Sequence, residues 1–377
     1  MAEAAPAVAE PARGVAEAAP VGIAGLAAVS ALGRGPQAQL AAALSGTAAF
    51  GPVGRFDVSR RRVGVAATLE QVDPLTTELA GVIEAACADA GLDARQRAGC
   101  PLLLAVHGHP AAGGWAATLA EQAGLAGAVR VYTAACVSAS TAVADAAAMI
   151  GRGTDRVVVA AGYLVEADQF ALFDSGRALA TDGAVRPFSA GRQGLLLGDA
   201  VAAVVLESPA AGAERAHAAA AELVGWGRAG DAYHPCQPAP DGRGMARAIE
   251  AALLRAGISA HAIGYVNANA TGTLLSDTAE AAALHRALGT AGPRVPISST
   301  KAVHGHALEA SGLLELVITV LALQAGKLPV NAGYLAPDDS CELDVIVASP
   351  RPVSGPYALS LNSAFGGANT ALLVRAA

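Results

Sequence analysis

The sequence predicts an α/β fold made of two similar halves, each a sheet buried between helices. Three observations predict it. Short apolar runs alternate with alanine-rich helical stretches along the chain. The composition is 53% hydrophobic but only 15% charged and 4% aromatic, with 43 glycines, which suits broad sheets covered on both faces. The order of features in the first half of the chain also recurs in the second.

Order is expected to begin near Val21, where V-G-I-A-G-L-A-A-V-S reads as a buried strand. The preceding Ala/Pro-rich residues 1–20 lack the basic start and apolar core of a signal peptide and read as a flexible tail. Further strands are predicted at 101–106, 156–162, 200–207, 264–269, 343–349 and 357–363, all short and apolar. Helices are predicted between them at 76–90, 139–151, 242–256, 276–288 and 309–326. In each half a polar loop opens a helix, a strand follows, and a glycine-containing hairpin comes next. These hairpins are expected at G-L-L-L-G-D-A-V-A-A-V-V-L-E and at A-L-S-L-N-S-A-F-G-G-A-N-T-A-L-L-V. The halves are taken as 21–210 and 211–377, with the site at their junction.

Bulk properties exclude several classes. A net charge of −7 argues against a general nucleic-acid binder, and the basic run Arg60, Arg61, Arg62 reads as a solvated loop. No window holds about 18 uncharged apolar residues, so no membrane span is expected. Five cysteines without C-x-x-C spacing fit reduced thiols in the cytosol rather than disulfides or a zinc site.

Cys136 is the most informative residue. It lies in T-A-A-C-V-S-A-S, between an apolar run and an alanine-rich helix. The positive end of a helix macrodipole favours thiolate, and small neighbours would admit an acyl chain to the sulfur. The alternative is a small buried hydrophobe. Three further segments carry polar groups. V-N-A-N-A-T-G-T presents Asn269 and Thr271 after a strand, unless it is an ordinary turn with Asp277 capping the next helix. S-S-T-K-A-V-H-G-H holds Lys301, His304 and His306; lysine occurs only at 301 and 327, so a compact ammonium is singled out there. His306 could donate a hydrogen bond or take a proton, with Lys301 and Glu315 tuning it. H-G-H has no acidic or cysteine partner at ligand spacing for a metal. N-S-A-F-G-G-A-N could place backbone N–H groups near a sulfur, with Phe365 as a gate before Gly366, or could be a tight turn with Phe365 in the core. R-P-F-S-A-G-R-Q-G-L-L-L-G-D-A, residues 186–200, reads as a loop packed beside the site.

Together these segments resemble elongating β-ketoacyl-acyl-carrier-protein synthases and type II polyketide ketosynthases. T-A-A-C-V-S-A-S resembles the family's T-A-C-S-S-S, and R-P-F-S-A-G-R-Q-G-L-L-L-G-D its R-P-F-D-x-x-R-D-G-F-V-x-G-E. S-S-T-K-A-V-H-G-H and N-S-A-F-G-G-A-N resemble S-x-K-x-x-x-G-H and S-x-G-F-G-G-T-N. The resemblance runs in order from about Val21 to the C-terminus. It implies a thiolase fold, two duplicated βαβαβ-type halves in an αβαβα layered arrangement. It implies Cys136 as acyl nucleophile, the backbone N–H groups of Cys136 and Phe365 as oxyanion hole, and His306 as stabiliser of an enolate. Lys301 and Glu315 would support the histidine, and Asp277 and Glu280 match acidic positions after the first histidine motif. The implied partners are acyl carrier protein and an acyl thioester, in a homodimer or a heterodimer with a ketosynthase-type subunit. No metal or redox cofactor is implied; phosphopantetheine would arrive on the carrier protein or as coenzyme A.

Three departures from the family pattern stand out. The family's H-G-T-G-T reads N-A-T-G-T here, so Asn269 stands at the first histidine; His304 is a candidate replacement donor. Ala364 stands where the family has glycine before the gating Phe. The segment between His107 and Cys136 is short. Three functional readings stay open: decarboxylative condensation, acyl shuttling without elongation, and a chain-length-factor-like partner role.

Overall fold

The computed structural model describes residues 19–108, 112–215 and 217–377, so nearly all of the expected tail at 1–20 lies outside the described residues. The first half contributes β1 (Val21–Ser30), β2 (Leu102–Val106), β3 (Val129–Tyr132), β4 (Arg156–Tyr163) and β5 (Ala200–Glu207). The second contributes β6 (Ala221–Gly230), β7 (Ile263–Asn267), β8 (Ile297–Ser298), β9 (Tyr357–Ala364) and β10 (Ala368–Ala376). Six helices pack on these strands: α1 (Leu75–Asp89), α2 (Ala112–Gln122), α3 (Ser138–Ile150), α4 (Arg243–Ala256), α5 (Leu274–Leu288) and α6 (Ser311–Ala325).

The strand order is β3-β2-β4-β5-β1 in the first half and β8-β7-β9-β10-β6 in the second. The parallel and antiparallel pairings also repeat position by position. Where β1 meets β6, three residue pairs from Val21↔Leu223 to Ile23↔Ala221 join the two sheets edge to edge.

Alternation along the strands sorts side chains into three cores. Leu103 and Ala105 join a central core with Val157, Val159, Tyr265 and Leu372, while Leu102 and Leu104 face an outer core under α1 and α2. Leu359 and Leu361 face a second outer core under α4 and α5. Helices α3 and α6 lie in the central layer, and Ser311–Leu323 of α6 is buried throughout. The layers are therefore helix, sheet, helix, sheet, helix. The segment Leu308–Ala325 is long and apolar enough to cross a membrane, but 89% of it is buried inside the protein, as a core helix would be.

The glycines in the run that forms β6 have a packing cause. A Cβ on Gly227 would lie 1.8 Å from the Ala248 carbonyl oxygen of α4, and one on Gly225 would lie 2.2 Å from that of Ala252. The helix backbone sits directly on the strand, which only glycine permits.

Two sequence expectations fail. The run 343–349 is not a strand: Val345 makes one bridge to Ile297, and Asp344 instead pairs with Arg351 at 2.6 Å. Its neighbour β8 is two residues long and offers no ladder to extend. The expected hairpin at 194–207 is a single extended run entering β5. Its antiparallel partner β4 lies 36 residues upstream, and the connection contains the helix Ala167–Ser175. The matching hairpin of the second half is real, with β9 and β10 paired from Tyr357↔Arg375 to Ala364↔Ala368.

Gly227→Val should cost about 3 kcal/mol in chemical denaturation, because a backbone carbonyl must move to admit it. Gly114→Ala, in open space on α2, should instead stabilise by about 0.5–1 kcal/mol. Equal effects would show that the α4–β6 contact is looser than described.

Candidate active site

Both central helices begin the same way. The turn Ala135–Val137 leads into α3, and the turn Leu308–Ala310 leads into α6. The first residue of each turn is left-handed, Ala135 at φ 49° and Leu308 at φ 40°, a strain of about 1–3 kcal/mol apiece. The second residue is Cys136 in one turn and Glu309 in the other. The two turns pack against each other, so the strained residues aim a thiol and a carboxyl into the same interior region. The sequence places Cys136 at a helix N-terminus and so favours thiolate, but burial prevails here. It pushes the thiol up to about 12, with Glu309 adding to the rise and Lys301 opposing it.

Lys301 is 1% exposed, in the short helix Lys301–His304. Its Nζ lies 2.7 Å from Glu315 Oε1 of α6, a close charge contact without the directionality of a good hydrogen bond. The other oxygen of Glu315 accepts from Asn362 Nδ2 at 2.7 Å, and Asn362 Oδ1 accepts from Ser140 Oγ at 2.6 Å. One buried chain of contacts thus runs from Lys301 through α6 and β9 to α3, four residues past the cysteine. Glu315 makes no contact with His306. It sits against Lys301, whose charge acts on the His306 ring.

His306 Nδ1 lies 2.9 Å from Ser311 Oγ, which also accepts from the Ala307 N–H at 2.9 Å. The serine hydrogen is free to be donated to Nδ1, and in that tautomer Nε2 is the N–H donor. Burial, then Lys301, holds His306 well below its usual range, and the same causes hold His304 at about 3. Both rings are neutral at physiological pH. His304 Nε2 lies 3.2 Å from Thr300 Oγ1, and its Nδ1 is buried without a partner among the described residues.

Asn269 is buried after β7. Its backbone N–H donates to Glu280 Oε1 at 2.8 Å, and its Oδ1 has no partner among the described residues. Burial pushes Glu280 up to about 8, partly countered by that N–H and by Lys301. Asp277 does not cap α5, whose N-cap is Thr273. It lies inside the first turn and accepts from the N–H groups of Thr271, Gly272 and Phe188. Burial pushes it up to about 7 against the pull of those donors and of Arg192 at 3.9 Å. The segment 186–200 is thereby tied beside the site. It is tied again where the His306 N–H donates to the Leu196 carbonyl at 2.7 Å.

Phe365 is 54% exposed at the tip of the β9–β10 hairpin, its ring stacked on Phe173 at 6.1 Å, so the core placement is excluded. Gly366 and Gly367 follow with φ 84° and 74°, a turn that needs glycine.

This arrangement matches known proteins along most of its length. Residues 92–211 match the model for the β-ketoacyl synthase N-terminal domain, and residues 220–334 match that for the C-terminal domain. The chain belongs to the β-ketoacyl synthase family. Nodulation protein E of Rhizobium meliloti is 39% identical over 251 residues, 66% of this chain and 62% of that protein. A 3-oxoacyl-[acyl-carrier-protein] synthase 2 of Staphylococcus aureus is 33% identical over 247 residues, 64% of this chain and 61% of that protein. The match thus spans about three fifths of the length of these curated relatives. The ishigamide ketosynthase/chain length factor superposes with TM-score 0.89 at 25% identity, covering 95% of this chain and 99% of that one. A β-ketoacyl synthase from Burkholderia phymatum STM815 gives 0.86 at 28% identity, covering 95% and 100%.

Within this β-ketoacyl synthase fold, several site residues were not singled out from sequence. Asn362 sits inside a quoted motif, yet its role as bridge between Ser140 and Glu315 needs the third dimension. Asn267, closing β7, donates to the Glu315 carbonyl at 3.2 Å and to Thr319 at 3.1 Å. Asp199 is clamped by Arg55 at 2.6 Å and accepts the Val165 and Leu69 N–H groups. Among the described residues no group of three His, Cys, Asp or Glu is arranged to hold a metal ion. A cleft of about 800 Å³ bordered by Arg34, Glu78, Asp89 and His217 lies where β1 parts from β6, and it shares no residue with the constellation around Cys136.

The shifts set a pH dependence. Glu280, raised in the fold, holds its proton where the unfolded chain has lost it, so it stabilises less as pH climbs from about 4.5 to 8. The two histidines, depressed in the fold, act the opposite way but only below about 6.5. Stability should therefore fall between pH 6.5 and 8, by up to about 1.4 kcal/mol per pH unit from Glu280 alone. Denaturation of Glu280→Gln across this window should lose most of that slope. An unchanged slope would show that another group governs it.

Proposed function

We propose that the chain is a ketosynthase-type acyltransferase of fatty acid or polyketide biosynthesis, with acyl carrier protein or coenzyme A as thioester donor. The observation that carries this reading is the strained Cys136 turn held against a buried Lys301–Glu315 pair and a neutral, N–H-donating His306. In the first step Cys136 Sγ bonds to the thioester carbon and loses its proton. The donor's C–S bond breaks, and the departing thiolate takes up a proton. The high resting position of the thiol means that deprotonation accompanies attack rather than precedes it. Backbone N–H groups of Cys136 and Phe365 would hold the oxyanion. Phe365, exposed and stacked on Phe173, is placed to swing as a gate.

In the second step, condensation with a malonyl thioester breaks the bond to the carboxylate and releases CO2. The electron pair passes into an enolate, whose carbon bonds to the acyl carbon as the Cys136 C–S bond breaks. The enolate oxygen needs donors, and His306 Nε2–H with the Asn269 amide supplies two kinds. Asparagine cannot move a proton, but the enolate requires hydrogen bonds rather than proton transfer at that oxygen. The retained Cys136, Lys301 and His306 favour this over a non-catalytic partner role. An acyl shuttle to a different acceptor uses the same first step. Assembly as a homodimer, or with a second ketosynthase-type subunit, accords with the similarity to the ishigamide ketosynthase/chain length factor.

Intact-protein mass spectrometry with acyl-carrier-protein thioesters should show an acyl adduct on the wild type and none on Cys136→Ala. Malonyl-carrier protein should then clear the adduct and yield a β-ketoacyl product. A persistent adduct would leave the shuttle. No adduct with any donor would remove the catalytic reading.

A further inference from the structure

A second polar cluster adjoins Cys136 and takes no part in the steps above. Glu309 is 4% exposed, and its Oε1 lies 3.0 Å from Nδ1 of His107, just past the end of β2. That contact fixes the orientation of the carboxyl. Its Oε2 is buried with no partner among the described residues. Tyr163, the last residue of β4, is 3% exposed, and its hydroxyl is also buried without a partner. The turn carrying Glu309 packs against both β4 and the Cys136 turn. Burial is the main cause that raises the thiol of Cys136 and the hydroxyl of Tyr163; Glu309 adds to the first, and Asp199, then Glu309, add to the second, so the three groups share one locality. Cys136 and Tyr163 both belong to the central apolar core, as does Leu308, which precedes Glu309.

A buried oxygen left unpaired is destabilising, and two in one locality are not explained by stability. They are complementary in sense. Glu309 Oε2 accepts a hydrogen bond and the Tyr163 hydroxyl donates one. A single aliphatic hydroxyl can satisfy both, whereas an alkyl chain satisfies neither. An acyl group bound to Cys136 would start in the same locality.

We propose that this enzyme accepts acyl groups bearing a hydroxyl near the thioester, selected by Glu309 and Tyr163, with His107 holding the carboxyl in position. The inference rests on Cys136 forming an acyl thioester. A site built to pair a hydroxyl rejects the analogue that lacks it, because its own polar atoms are left unpaired.

The test measures rates of acyl-adduct formation on Cys136 by mass spectrometry. The donors are butyryl, 2-hydroxybutyryl and 3-hydroxybutyryl pantetheine thioesters, the hydroxy forms as both enantiomers. Wild type should react at least about tenfold faster with one hydroxyacyl donor than with butyryl. Glu309→Leu should bring that ratio to about one or invert it. Tyr163→Phe should lower it as well, and it keeps the inference testable should Glu309→Leu not fold. Equal rates in the wild type, or a ratio unaltered in both variants, would overturn the selectivity while the acyl-enzyme stands. No adduct from any donor would overturn the acyl-enzyme reading and the selectivity with it.

Discussion

The buried ammonium of Lys301 is the constraint around which the site is organised. An isolated charge in a core is prohibitive, so Glu315 must sit against it, and removing either partner leaves the other uncompensated. Glu315 in turn engages Asn362, and Asn362 engages Ser140, which sets α3 and α6 relative to each other. Burial keeps His304 and His306 neutral and the same charge adds to it; at Cys136 and Glu280 the charge opposes the rise that burial causes.

The duplicated topology explains why these groups meet. Each half sends its central helix inward from a strained turn, and the pseudo-symmetric partner of the thiol is a carboxyl. One geometry thus serves twice: one turn presents a thiol and the other a carboxyl. Close approach at the helix starts reinforces this. A Cβ on Gly312 would lie 2.1 Å from Ser140 Oγ, so the crossing of α3 and α6 tolerates nothing larger than glycine there.

Much of this was legible in the sequence, for identifiable reasons. Long apolar runs fixed most strands, because a strand buried on both faces has few polar positions. Lys301 stood out because arginine serves nearly everywhere else in the chain. The run 343–349 misled because its apolar pattern is that of a strand, while its fate depended on a two-residue neighbour. The 194–207 hairpin misled because the analogy between halves hid an insertion in one of them. The Glu309–His107 contact was invisible, since 202 residues separate its partners and neither lies in a recognisable pattern. The thiol's position was misjudged because local sequence shows the helix dipole but not the depth of burial.

The central layer has a consequence for biosynthesis. Helix α3 is covered on one side by strands of its own half and on the other by α6 and the second sheet. When the first half leaves the ribosome, that inner face has nothing to cover it. The residues that will do so, up to Ala376 in β10, follow more than 150 positions later. At synthesis rates of about 5–20 residues per second, the exposed face persists for roughly ten to thirty seconds. A cell making this protein must shelter an alanine-rich apolar surface for that interval.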